Sequence, residues 1–503
     1  MHYVSSPSLA WDAALKMTNI ELELLHNKEM YDFIERGIRG GISIIAKRFA
    51  RANNPGCRIR KFDPMQKLKY LIYLDANNLY GYAMSQALPI KDFLAKDEIQ
   101  NISTSFGSID DDAETGYIFE VDLKYPAKIH DHHNCLPLSP ERVLIDDTWY
   151  SPFQKQFPQQ LPQQRLTPNL MDKKRYIIHY RDLKLYTELG MQVTKIHRVL
   201  SFAQSRWLKP YIDYNTECRK LSKSLLEKDF YKLMNNAVYG KTNENLRNRV
   251  NVEVITDRKI ALKRIAKPAF KRSQIIQEDL VIIQSAITTL NLNKPIYVGF
   301  SVLELSKALM YDFHYNHIKK KYKDDKVNLM FSDTGFLLYE IETDYIYKDL
   351  EDKDMYDFSD YPPNHFLQSD INTKTIGKSK DELKGETLEE FCGLRSKCYS
   401  LLYDCPREKS KLTAKGYVQS VKNEHFEHEH YLQTLFERKT FTVSQNIIKS
   451  REHQVCSYNV KKTALTAYDV KRWICCNGID TLAHGHYRAN NIKCIDKCKH
   501  LIG

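Results

Sequence analysis

The chain has 503 residues, 42% hydrophobic and 11% aromatic, which excludes a disordered protein and leaves room for about three domains. Lysine and arginine number 75 against 63 aspartates and glutamates, a net charge of +12 that hints at a polyanionic partner. Eleven cysteines without framework spacing argue against a secreted disulfide scaffold, and no run approaches the ~18 apolar residues of a membrane span. The chain reads as intracellular, not secreted (nuclear or cytoplasmic), with reduced thiols and no membrane partner.

In chain order, helices are expected at Glu21 to Leu25, Met30 to Ile38 and Ile42 to Arg51, interrupted by Gly40 and Gly41. Leu68 to Leu74 is too apolar for a half-exposed edge and reads as a central strand ending at Asp75. Strands are expected at Gly116 to Leu123 and Val193 to Ser201, with a proline- and glutamine-rich, mobile loop from Pro152 to Gln164. Two long helices span Lys209 to Asn248, and a basic, strand-like segment covers Asn251 to Gln284. Phe300 to Tyr322 reads as an amphipathic helix. A hairpin then closes around Ser332-Asp333-Thr334-Gly335.

Three constellations carry chemistry. The first is Asp75-Ala-Asn-Asn-Leu-Tyr80-Gly81, a carboxylate at the end of a buried strand. It suits a metal ligand, and equally a cap for the next helix. The second is Lys232-Leu-Met-Asn-Asn236-Ala-Val-Tyr239-Gly240. On a helix Lys232, Asn236, Tyr239 and Gly240 form one stripe, which suits a nucleotide: cation to phosphate, aromatic to base or sugar. Arg219, Lys220, Lys223 and Lys228 add cations upstream. The third is the hairpin tip Asp333-Thr334-Gly335-Phe336. An aspartic-protease reading fails, because no second Asp-Thr/Ser-Gly exists to share a proton.

In this order the three resemble motifs A, B and C of the family B DNA-directed DNA polymerases of the protein-primed organellar and viral type, including copies carried by large self-synthesising DNA transposons. Motif A of that family is Asp-x-x-Ser-Leu-Tyr-Pro, here DANNLYG. Motif B is Lys-x3-Asn-Ser-x-Tyr-Gly, here with Ala237 for serine. Ile38 to Gly41 resembles the Tyr-x-Gly-Gly linker, and Lys397-Cys398-Tyr399 the Lys-x-Tyr primer-holding motif.

The resemblance implies an α/β (α+β) right-hand fold with palm, fingers and thumb. The implied boundaries are a helical lead-in with the linker motif at 1–60, palm at 61–90, a first insertion at 91–205 and fingers at 206–248. A second insertion at 249–290, palm at 291–400 and thumb at 401–503 follow. It implies Mg2+ held by Asp75 and Asp333 as catalytic carboxylates. It implies dNTP contacts at Tyr80 (a steric gate), Lys228, Lys232, Asn236 and Tyr239. DNA contacts are implied at Arg39, Gly40, Gly41, Lys397 and Tyr399, and in the basic second insertion. Partners would be primer-template DNA, dNTPs and a terminal protein primer.

Two departures stand out. The family's exonuclease domain precedes the linker motif. Only about 37 residues do so here, so a fragment, a truncated copy or a form without proofreading is expected. Motif C in the family is Asp-Thr-Asp-Ser, and the second aspartate, a metal ligand, is Gly335 here. Glu340 and Glu342 lie on the order of 15 Å along the strand and are poor substitutes. The expectation is a polymerase with impaired nucleotidyl transfer; the alternative is a non-catalytic remnant that binds primer-template.

Overall fold

A computed structural model describes residue 3 and residues 5–95, 106–158, 161–352, 354–405, 408–451 and 454–489. The chain starts with helices α1 (Ser6–Thr18) and α2 (Lys28–Gly37) and strands β1 (Ser43–Ile45) and β2 (Phe49–Arg51). Strand β3 (Lys69–Ala76), helix α3 (Leu79–Met84) and strands β4 (Leu88–Ala95) and β5 (Thr115–Lys124) come next. They lead to β6 (Lys173–His179), α4 (Tyr180–Glu188) and β7 (Gln192–Ser205). Two antiparallel helices, α5 (Lys209–Leu221) and α6 (Leu225–Thr242), precede a three-stranded sheet within residues 251–285. Helix α7 (Ile296–Asp312) enters the hairpin β8 (Val327–Asp333) and β9 (Phe336–Glu342). Then come β10 (Ser379–Asp381), β11 (Leu388–Arg395), β12 (Cys398–Cys405) and β13 (Glu408–Ala414). Helix α8 (His428–Phe436) and a long ribbon, β14 (Phe441–Arg451) with β15 (Gln454–Leu465), follow.

A ten-stranded sheet organises the molecule, with the order β1-β8-β9-β3-β11-β12-β13 along its main path. Strand β3 is central because both its faces are apolar. Tyr70, Ile72 and Leu74 enter one core, and Leu71 and Tyr73 enter another. A four-stranded antiparallel sheet, β4-β7-β5-β6, packs beside it. Among the described residues no helix is long and apolar enough to cross a membrane.

The structure corrects several expectations. Residues 42–51 form β1 and β2 rather than a helix. Ile44 and Ile45 are buried on opposite faces of the sheet, and β1 takes its hydrogen bonds from β8; so short an apolar run carries no decisive period. Residues 21–25 are extended, with Glu23 N–H donating to the Ile90 carbonyl at 3.0 Å. Helix α1 falls within the expected helical lead-in but was not among the individual helices named there. The helix at 296–312 is buried nearly all round rather than amphipathic, and it encloses Glu304 and Lys307 as an ion pair of 2.8 Å. Part of the Pro152 to Gln164 loop is packed, since buried Gln154 donates to the carbonyls of Asp469 and Arg472. His130 and His133 are buried, and His133 bonds the Tyr125 hydroxyl at 2.8 Å. His428 is buried too, held between Ser400 Oγ (2.6 Å) and Glu390 (2.9 Å). Cys476 is disulfide-bonded rather than a reduced thiol. Cys494, Cys498 and His500 lie outside the described residues.

Candidate active site

Strand pairing alone brings motifs A and C together. Phe336 on β9 is the partner of both Asp333 on β8 and Asp75 on β3, so the two aspartates stand on neighbouring strand ends. Backbone bonds fix the turn: Thr334 N–H donates to the Ile42 carbonyl at 2.7 Å, and Ala76 N–H to that of Gly335 at 3.0 Å. Asn78, not Asp75, caps α3, its side chain accepting from Gly81 N–H at 3.3 Å. Asp75 is thereby spared for the cavity above the sheet.

That cavity measures about 630 Å³. Asp75, Tyr80, Lys232, Asn236, Asp333, Gly335 and Lys397 all line it, so seven positions from four separate motifs converge. Tyr80 stacks on Tyr239 with ring centroids 4.5 Å apart and an interplanar angle of 13°. This couples α3 to the stripe of α6, where Lys232 and Asn236 are exposed and Asn235 is buried. Lys228 lies one turn earlier on the same helix.

The remaining predicted site residues sit elsewhere. Arg39 is buried, donating to the Ile177 carbonyl at 2.8 Å with its guanidinium 3.8 Å from the Tyr176 ring centre. Its charge serves packing, not a DNA-facing surface. Gly41 lies under motif C: a Cβ there would come 2.6 Å from Thr334 Oγ1, so any other residue would have to displace the Thr334 side chain. Gly40 has open space around it. Tyr399 is buried, stacked on Phe331 at 4.4 Å, with its hydroxyl 3.4 Å from that of Tyr73.

Two features of the cavity were not expected. Glu382 lines it, placed by β10, which pairs antiparallel with β3 in the register Lys380↔Asp75. Burial first, and the Glu382 charge second, push the Asp75 carboxyl up to about 7, against the pull of Lys380, Lys232 and Lys411. Lys374 also lines the cavity, from the turn-rich segment between β9 and β10. No motif announces either residue. The only signal was charge in a stretch without periodicity.

Gly335 stands where motif C of the resembled family carries its second aspartate. Its φ is not left-handed, so the backbone does not demand glycine, although Thr334 before it does adopt φ 63°. A Cβ at position 335 would stand 3.2 Å from Asp75 Oδ1, against the carboxylate it would have to assist. Asp333 is already committed, its Oδ1 3.0 Å from Lys397 Nζ. Among the described residues no three His, Cys, Asp or Glu side chains gather closely enough to hold a metal ion. The residues present therefore do not fit the pair of divalent cations that the resemblance implies.

Residues 3–321 match the family model for DNA polymerase type B, organellar and viral. No curated protein matches the chain. Among solved structures, Phi29 DNA polymerase complexed with primer-template DNA, in the post-translocation binary state, superposes with a TM-score of 0.52. It does so at 14% identity, over 92% of this chain and 68% of that one. The ternary complex of the same enzyme, with incoming nucleotide, gives 0.52 at 15% identity over the same shares. Its complex with single-stranded DNA gives 0.51 at 13%. At such identities the likeness is one of fold, a mixed helix and sheet right-hand architecture. The match over residues 3–321 shows the lineage: the chain belongs to the type B DNA polymerases of the organellar and viral class.

Proposed function

We propose that this chain binds primer-template DNA and an incoming nucleotide in the cavity above β3, and that nucleotidyl transfer there is severely impaired. In this reading the ten-stranded sheet is the palm, α5 and α6 the fingers, and α8 with the β14–β15 ribbon the thumb. Lys232, Lys228 and Asn236 face the nucleotide, the Tyr80–Tyr239 stack marks the slot for its base and sugar, and Lys397 lies near the primer terminus. Priming from a terminal protein hydroxyl is part of the same proposal. The observation that carries the impairment is Gly335. Without a carboxylate at position 335, charge on the transferring phosphoryl group is stabilised less, and a deficit of several kcal/mol slows transfer on the order of a thousandfold.

A second reading, primer-template binding without extension, is favoured by the Lys397–Asp333 ion pair. Primer extension in Mg2+ by the parent and by Gly335→Asp separates the two. Synthesis by the variant and not by the parent supports an intact fold with a decayed site. Binding without synthesis by both supports the second reading, and efficient extension by the parent refutes the impairment.

A further inference from the structure

Four cations around the cavity make no ion pair among the described residues: Arg219 on α5, Lys228 and Lys232 on α6, and Lys374. Their neighbours differ. Lys220 is paired with Glu217, Lys380 with Asp360 at 2.8 Å, and Lys397 with Asp333. Three of the unpaired charges belong to the helices. Lys374 belongs to another part of the chain, 132 positions beyond the end of α6 at Thr242 (374 − 242).

Its place is fixed by motif A itself. Asp357 Oδ2 accepts both the Asn77 side-chain amide, at 2.6 Å, and the Lys374 backbone N–H, at 2.9 Å. Gly377 N–H donates to the Asn77 carbonyl at 2.7 Å, and Asn77 N–H donates to the Lys378 carbonyl at 2.8 Å. Lys374 holds φ 52°, a conformation lysine rarely adopts, so the turn is over-determined by these contacts. The segment thus welds a cation onto the strand end that bears Asp75. Burial, and then the charges of Lys228 and Arg219, push the Lys374 ammonium down, with Asp360 pulling the other way.

We propose that Lys374 is a triphosphate-binding residue. With Arg219, Lys228 and Lys232 it supplies the countercharge of a nucleoside triphosphate in a site that has lost a metal carboxylate. The inference rests on the nucleotide-binding reading above and adds to it a contact from outside the fingers helices and independence from divalent cations. Protein cations suit phosphate oxygens directly, through charge-assisted hydrogen bonds.

The test is binding of a fluorescent dATP analogue to the full chain, with Mg2+ and with EDTA. The parent is expected to bind within about threefold of the same affinity in both. Lys374→Gln is expected to weaken analogue binding on the order of tenfold in EDTA, and Lys374→Arg to keep it, with unchanged melting temperatures. A labelled primer-template duplex is expected to bind both variants within about twofold of the parent. Equal analogue affinity in Lys374→Gln overturns the assignment, as does loss of parent binding in EDTA. An equal loss for the duplex reassigns Lys374 to the DNA backbone and overturns it too. If Lys232→Gln weakens the analogue and Lys374→Gln does not, only Lys374 is misassigned. If the parent binds neither analogue nor duplex, the polymerase reading fails with it.

Discussion

Two charged clusters lie on the same sheet and follow opposite rules. Beneath β11 and β12, Glu390 is fully buried and compensated at every turn: by Arg51 at 2.7 Å, Arg60 at 3.0 Å and His428 at 2.9 Å. His428 passes the network on to Ser400. Burial alone would raise the Glu390 carboxyl, but His428 and Arg51 more than offset it and bring it down to about 2. In the cavity at the end of β3 the balance is reversed. Asp75 is raised to about 7, and four cations stand unpaired among the described residues. A charge network that is satisfied holds strands and helices together; one that is left unsatisfied is held for something that arrives later. The serine-histidine-glutamate chain at Ser400 resembles hydrolase machinery on paper, but all three side chains are buried, so no substrate reaches them.

The largest effect is expected from Gly335→Asp, on the order of a thousandfold gain in Mg2+-dependent primer extension. Adding Asp75→Asn to that variant is expected to abolish the gain. If extension rises with Asp75 removed, the cavity is not where transfer occurs, and the contrast between the clusters loses its functional half.

Glu390→Gln is expected to destabilise the fold by about 3 kcal/mol at pH 7, since Arg51 and Arg60 are left beside a neutral amide. A carboxylate lowered from 4.5 to about 2 contributes stability that is complete above pH 4.5 and is lost as pH falls through 2. Denaturant melts of parent and variant should therefore differ most at pH 7 and converge toward pH 2. A constant gap would show that packing, not charge, explains the cost. Smaller again is Lys232→Gln, expected to weaken binding of the dATP analogue about tenfold with no loss of stability, read by fluorescence titration and a thermal melt.

The split between what the sequence disclosed and what it hid follows the same contrast. Lys232, Asn236 and Tyr239 were legible because helical spacing puts them on one face, and Asp75 and Asp333 because they stand where motifs A and C of the resembled family carry their aspartates. The hairpin and β3 were legible from their apolar runs. The strands at 43–45 and 49–51 were not, because a tertiary partner, β8 or β11, decides between helix and strand for so short a run. Lys374 and Glu382 were hidden because their positions depend on the bond between Asp357 and Asn77 and on the pairing of β10 with β3, contacts between segments roughly 300 positions apart. His428 stands in a run of histidines and glutamates that looks solvated, yet its ring fills a gap between Glu390 and Ser400.

The smallest effect expected tests whether the buried cluster is structural alone. Ser400 follows Tyr399 directly, and Lys397 of the same short motif lines the cavity, so a change at Ser400 has a covalent route to the site. Ser400→Ala removes the hydroxyl bonded to His428 Nδ1 and leaves a buried ring nitrogen without its partner, at a cost of about 1 kcal/mol. That cost is too small to move β12 bodily, because β11 and β13 flank it on both sides. The melting temperature should fall slightly while affinities for the dATP analogue and for primer-template stay unchanged. Weaker DNA binding by Ser400→Ala at full folding would mean that the two clusters are coupled through β12, and that the compensated network positions Lys397 as well as stabilising the fold.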